Sequence, residues 1–230
     1  PQLGSKLPHS FLGDMSLLDP SRPLGTGEPN EPGRPFVYLA GPDVFYPDAI
    51  LRGARMKAAL AARGMTGLFP LDGELHPGDY PSGTELALAI AEACEAQIRK
   101  ADLGIFNIEP WRGPEADDGT AYELGFMAAL GKPVVLYTSD PRPFAERIAA
   151  DIYQGEVYRD GHLTRGKRDG MTIEAFDGFA DNLMLINAAV RSARVLLGEG
   201  ASPSMAVQRD FEAAADFASK LWERQKAQLK

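Results

Sequence analysis

From residue 36 onward, short apolar runs alternate with longer stretches in which apolar residues recur every three or four positions. Phe36-Val-Tyr-Leu-Ala40 is β-prone and closed by Gly41-Pro42, the pattern of a buried strand. Residues 48–63 carry Ile50, Leu51, Ala54, Met56, Ala58 and Leu60 among Arg and Lys and end at Gly64, which predicts an amphipathic helix with a glycine cap. A second short strand is expected at Gly67–Leu71. A helix free of Gly and Pro follows at Thr84–Lys100, then a third strand at Leu103–Ile108. Thr120–Leu130 reads as a helix ended by Gly131, and Pro133–Thr138 as a fourth strand. Residues 142–154 look helical, 155–172 form a polar, glycine-rich surface loop, and 181–197 and 205–227 are further helices. The last is amphipathic through Val207, Phe211, Ala214, Phe217 and Leu221. Strands alternating with helices predict a parallel sheet covered on both faces. Residues 1–35 keep no period and hold PSRPLGTGEPNEPGRP, so an extended or disordered arm is expected there. The organisation read from the chain is an arm over 1–35, one α/β domain over 36–200, and a C-terminal helical extension over 201–230 packed on it.

Composition narrows the partners. The 230 residues hold 24 Lys+Arg against 32 Asp+Glu, a net charge of −8, which argues against a nucleic-acid polymer as ligand. No run of about 18 apolar residues suggests a membrane span, and no basic stretch leads into an apolar one at the N-terminal end. Cys94 is the single cysteine, so no internal disulfide can form, which fits a reducing compartment and a cytoplasmic protein. His76 and His162 lie far apart, and no cluster has metal-ligand spacing. Neither G-x-G-x-x-G nor a P-loop occurs. No metal and no cofactor is expected. Arg165-Gly-Lys-Arg168 reads as a solvated loop.

In open α/β sheets, ligands bind beyond the carboxyl ends of the strands, which singles out the loops 41–47, 71–81 and 109–120. The last, EPWRGPEADDGT, carries four carboxylates, one arginine and one tryptophan and runs into the next helix. Glu123 allows two readings. Thr120-x-x-Glu123 matches a capping box, in which Glu123 merely closes a helix end. Alternatively Glu123 is a carboxylate nucleophile on the helix's first turn, kept ionised by the helix dipole, with Asp117 a second carboxyl group of different protonation. On spacing alone, Asp117 and Asp118 read as a solvated turn.

Six segments, in order, resemble the nucleoside 2-deoxyribosyltransferase family: Val37-Tyr-Leu-Ala-Gly-Pro-Asp-Val-Phe45, Leu68-Phe-Pro-Leu-Asp72, Ile98-Arg-Lys-Ala-Asp102, Pro110-Trp-Arg-Gly-Pro114, Asp117-Asp-Gly-Thr-Ala-Tyr-Glu-Leu-Gly125 and Asp181-Asn-Leu-Met184. The resemblance spans roughly residues 36 to 190. It implies a flavodoxin-like (Rossmann-like) three-layer sandwich with a roughly five-stranded parallel sheet. It also implies an enzyme that takes the deoxyribosyl group from a 2′-deoxynucleoside and passes it to another free nucleobase, without cofactor. By matched position Glu123 would attack C1′, Asp117 would exchange the proton with the base, and Tyr38 would orient Glu123. Phe45 and Trp111 would wall the base, and Asp72 and Gly119 would contact substrate. Asn182 and Met184 would be inserted by a neighbouring subunit to hold the sugar 5′-hydroxyl, making the protein a homo-oligomer, dimer or higher, with sites completed across the interface. Cys94 departs from the polar Asn or Asp usual at its position and reads as a buried helix residue.

Two alternatives frame this expectation. A nucleotide N-glycosidase of the same superfamily would put water in place of the second base and would need cations for a 5′-phosphate. The loop Gly41–Pro47 offers none, and its one carboxylate would repel such an anion. A non-catalytic nucleotide-binding module would not need Glu123, Asp117 and Tyr38 together, and all three are present.

Overall fold

The computed structural model describes residues 34–72, 75, 77–176, 178–192, 194–197 and 203–228. The expected arm therefore lies outside the described residues except for its last two positions, as does His76. Along the chain come β1 (Phe36–Ala40), α1 (Ala49–Ala61), β2 (Thr66–Leu68), α2 (Gly83–Lys100), β3 (Leu103–Asn107), α3 (Asp118–Ala129), β4 (Val134–Thr138) and α4 (Phe144–Arg147). Then follow β5 (Val157–Asp160), β6 (Leu163–Gly166), β7 (Thr172–Ile173), α5 (Leu183–Ser192), β8 (Arg194–Leu197) and α6 (Pro203–Gln228). Five strands form a sheet in the order β2-β1-β3-β4-β8, parallel at every pairing. Counted within the sheet, this is the 2-1-3-4-5 order of flavodoxin-like folds.

Side chains alternate across each strand, so β1 sends Val37 and Leu39 to one face and Tyr38 and Ala40 to the other. The first face is covered by α1 and α6, with Met56, Leu60, Phe211 and Ala214 meeting Ile105, Val135 and Tyr137. The second is covered by α2, α3 and α5 through Ile98, Leu124, Met127 and Ile186. Every residue of β3 and β4 is buried, as expected for strands covered on both sides. No helix among the described residues is long and apolar enough to cross a membrane.

Three stretches differ from their sequence reading. The helix expected over 181–197 stops at Ser192, and Arg194–Leu197 becomes the fifth strand, pairing Leu136 with Val195. Neither Gly nor Pro marks that change; the open edge of β4 decides it. The supposed loop 155–172 is largely a small antiparallel sheet, β5-β6-β7, whose first hairpin turns on Gly161 at φ 61° and His162. Its strands of two to four residues are too short to show a period, and the Tyr153 ring packs where Gly166 lacks a side chain. The helix expected over 142–154 shortens to α4, which widens into a π turn at Ile148–Ile152.

At the carboxyl end of β1 the chain turns on Gly41, with φ 148° and the site of a Cβ only 2.4 Å from Asn107 Cβ. Only glycine permits this backbone and this approach. The turn starts the loop that carries Phe45.

Candidate active site

The carboxyl ends of β1 and β3 and the head of α3 bring the candidate residues to one edge of the sheet. Asp117 is the N-cap of α3: its Oδ2 accepts from Thr120 N at 3.0 Å and Thr120 Oγ1 at 3.1 Å. This overturns the Thr120–Glu123 capping box. At the head of α2, Ser82 is the N-cap, accepting from Glu85 N at 3.2 Å. Starting α3 at Asp118 puts Glu123 in the second turn rather than the first, with its side chain toward the sheet. There the Tyr38 hydroxyl donates to Glu123 Oε1 at 2.7 Å. Tyr38 is fully buried, so burial and the neighbouring Glu123 charge push its pKa well up and keep it a donor.

The Glu123 carboxyl is pushed up to about 7, chiefly by burial, with the Asp117 charge adding to the rise. Hydrogen bonds from Tyr38 and Cys94 act the other way. The helix dipole therefore does not hold Glu123 in the ordinary carboxylate range, contrary to the expectation from its place on α3. The result is a carboxyl group near half ionisation at neutral pH, in reach of either protonation state. A carboxyl raised in the folded state binds protons that the unfolded chain has released, so stability falls as pH rises from 4.5 and levels off above about 7. We expect Glu123→Gln to remove this dependence. Its melting temperature should gain on the wild type between pH 4.5 and 7 and stay level above. A gap that does not change with pH would contradict the raised carboxyl.

Cys94, read from sequence as a buried helix residue, is half-buried and close enough to Glu123 and Tyr38 to act on the charge of both. Burial and the Glu123 charge push its thiol up, so it stays protonated, a weak donor and a weak acceptor. Gly119 serves the same centre by lacking a side chain: a Cβ there would sit 3.1 Å from Asp117 Oδ2 and crowd the carboxylate.

Phe45 and Trp111 come together from two loops, but as a stacked pair, with ring centroids 5.1 Å apart and planes at 14°. They fill each other's faces, so together they make one aromatic platform. Phe45 is 52% exposed, which leaves the platform open to a further ring. Tyr46 leans on Trp111, and the Arg112 guanidinium lies over both Trp111 and Phe45.

Sequence reasoning missed what holds the Phe45 loop. Asp43 is buried there, accepting from Asn107 Nδ2 at 2.8 Å and Arg52 Nη1 at 3.1 Å. The loop's carboxylate is thus neutralised by a cation from α1, which the loop sequence alone could not reveal. The spacing Asp48-x-x-x-Arg52, itself an ion pair, was the available signal. Of the other loop carboxylates, Glu109 ties β3 to β4 by accepting from Ser139 N at 2.7 Å, while Glu115 and Asp118 are exposed.

The remaining candidates stand apart. Asp72 pairs with Lys57 and accepts from Phe69 N at 3.0 Å. Asn182 donates to Glu174 Oε2 at 2.9 Å, and Met184 is 70% exposed beside an apolar groove of about 560 Å³ between α3 and α5. Neither Tyr38 nor Glu123 lines that groove. Among the described residues no group of three or more His, Cys, Asp or Glu could hold a metal ion.

A family model for nucleoside 2-deoxyribosyltransferases matches residues 37–184, a span containing every candidate above. An uncharacterized protein of Schizosaccharomyces pombe is 36% identical over 160 residues, 65% of this chain and 74% of the relative. Among solved structures, a 2-desoxiribosyltransferase from Leishmania mexicana shares 26% identity at a TM-score of 0.49, covering 77% of this chain and 97% of its own. A 2-deoxyribosyltransferase from Bacillus psychrosaccharolyticus shares 27% identity at a TM-score of 0.34, covering 45% and 72%. By the match over most of its length, the chain belongs to the nucleoside 2-deoxyribosyltransferase family, whose chemistry is the transfer or cleavage of a nucleoside's glycosyl group.

Proposed function

We propose that this protein moves a 2-deoxyribosyl group from a deoxynucleoside to a second, free nucleobase through an ester on Glu123. The observation that carries the reading is the 2.7 Å hydrogen bond from buried Tyr38 to Glu123, in the second turn of the helix that Asp117 caps. Tyr38 fixes the carboxylate's direction, and the raised pKa makes it a reactive oxygen rather than a well-solvated one. Asp117, at the mouth of α3, protonates the leaving base while the sugar gains oxocarbenium character. Glu123 traps C1′, the first base departs, and a second base reverses the steps with overall retention. Each base stacks on the outer face of the Phe45–Trp111 pair.

The reading includes a second copy of this chain in a cytoplasmic homo-oligomer. Only Ile98 of the eighteen residues in α2 is buried, Leu88, Ile90 and Tyr122 are exposed on α2 and α3, and Met184 is exposed beside the α3–α5 groove. An apolar surface of this kind supports a partner that covers it and brings Asn182 to the sugar's 5′-hydroxyl.

A second reading, in which water takes the place of the acceptor base, draws on Cys94: a weak donor beside Glu123 grips an incoming base poorly. One experiment decides. One deoxynucleoside is mixed with a different free base and the products are followed by chromatography. Stacking worth about 1–3 kcal/mol favours a bound base over water at millimolar concentration. The new nucleoside should therefore exceed free deoxyribose, and added acceptor should speed release of the first base. Donor consumption that yields only free deoxyribose at every acceptor concentration would replace transfer with hydrolysis.

A further inference from the structure

Among the described residues, Arg147 is the one buried cation, with none of its surface exposed. It ends α4 and spends its guanidinium on three other segments. Nε donates to Pro114 O at 2.9 Å, Nη1 to Arg142 O at 3.0 Å, and Nη2 to Ala180 O at 2.6 Å and Asp181 Oδ2 at 3.3 Å. Asp181, equally buried, extends the network. Its Oδ2 accepts from Ala116 N at 3.1 Å and its Oδ1 from Asn182 N at 2.7 Å. Ala116 is the residue before Asp117, and Asn182 follows Asp181 directly.

The ion pair by itself does not account for the network, whose five bonds to backbone groups are what the fold would lose. Removing two charges from water costs several kcal/mol per ion, and well-packed apolar residues in their place are often neutral or stabilising. Only a planar fork of donors grips three carbonyls and a carboxylate at once, which lysine cannot do. The network does one thing an apolar cluster would not. It sets the backbone immediately before Asp117 and the backbone of Asn182 from a single buried point.

We propose that the Arg147–Asp181 pair is a positioning device that aligns Asp117 toward the base and Asn182 toward the sugar together. The proposal rests on the roles given to those two residues above. Since Asn182 reaches into a neighbouring subunit's site, the pair ties the geometry of one site to that of the next.

The test compares kcat/KM for three donors: a natural deoxynucleoside, a deoxyriboside whose leaving group departs unprotonated, and a deoxynucleoside lacking the 5′-hydroxyl. The full-length double variant Arg147→Met/Asp181→Leu removes both charges together, and thermal melting verifies its fold. With the natural donor a loss of about 10- to 100-fold is expected, the scale of a displacement near 1 Å. The loss should shrink severalfold with each of the other donors, because each bypasses one of the aligned groups. Equal losses on all three donors would reduce the pair to a structural role, and an unchanged kcat/KM would remove it altogether. If the double variant does not fold, Arg147→Lys, which keeps a charge beside Asp181 and gives up the fork, decides by the same ratios. An inactive wild type on all donors would instead overturn the proposed function, and the positioning role with it.

Discussion

Glu123→Ala should abolish deoxyribosyl exchange while the protein keeps its fold. Removal of a covalent nucleophile lowers turnover by roughly 10⁴- to 10⁶-fold. The structural cost is small by comparison. Glu123 caps nothing, and its partner Tyr38 remains within reach of Cys94. An unsatisfied buried hydroxyl costs about 1–3 kcal/mol, and loss of the buried carboxyl's own penalty above pH 7 offsets part of that. Chromatography of the exchange reaction and a melting curve measure the two effects separately. Near-normal turnover in a folded Glu123→Ala protein would remove Glu123 from the chemistry. The same variant probes the shared site: mixed with equally inactive Asn182→Ala subunits, it should regain part of the activity, since some mixed oligomers hold one intact site. A fully active monomer by light scattering would contradict a shared site.

Asp117→Asn should lower the rate with natural bases by about 10²- to 10⁴-fold, the usual contribution of a general acid. Asparagine caps a helix about as well as aspartate, so Thr120 keeps its acceptor and stability changes little. What the amide cannot do is give and take the base's proton. With a leaving group that needs no protonation, the loss should therefore shrink toward the wild-type rate. Equal losses on both donors would assign Asp117 to the helix cap alone.

The two variants also divide what the helix cap left undecided. From spacing, Thr120-x-x-Glu123 reads as a capping box and Asp117 as part of a solvated turn. Three residues of shift decide whether Glu123 closes a helix end or faces the sheet. The Asp117 side chain takes the N-cap position, and that choice turns Glu123 toward Tyr38, 85 positions earlier in the chain.

The apolar runs Phe36–Ala40, Leu103–Asn107 and Val134–Thr138 determine by themselves that these strands are buried on both faces. Their alternation with helical periods determines a parallel, doubly covered sheet, because local pattern and burial coincide there. The order of the motif residues at the strand ends likewise marks the candidate site without coordinates. The fifth strand at Arg194–Leu197 and the hairpin of β5 and β6 were decided elsewhere: the first by the open edge of β4, the second by a glycine turn between four-residue strands too short to show a period. The same holds for the site's electrostatics. The Tyr38 bond, the rise of Glu123 to about 7, the neutralisation of Asp43 by Arg52 and the Arg147–Asp181 pair all join residues distant in sequence or on different elements. A charge's energy depends on what lies within a few ångströms in space and on how much water remains, and only the tertiary structure sets either quantity.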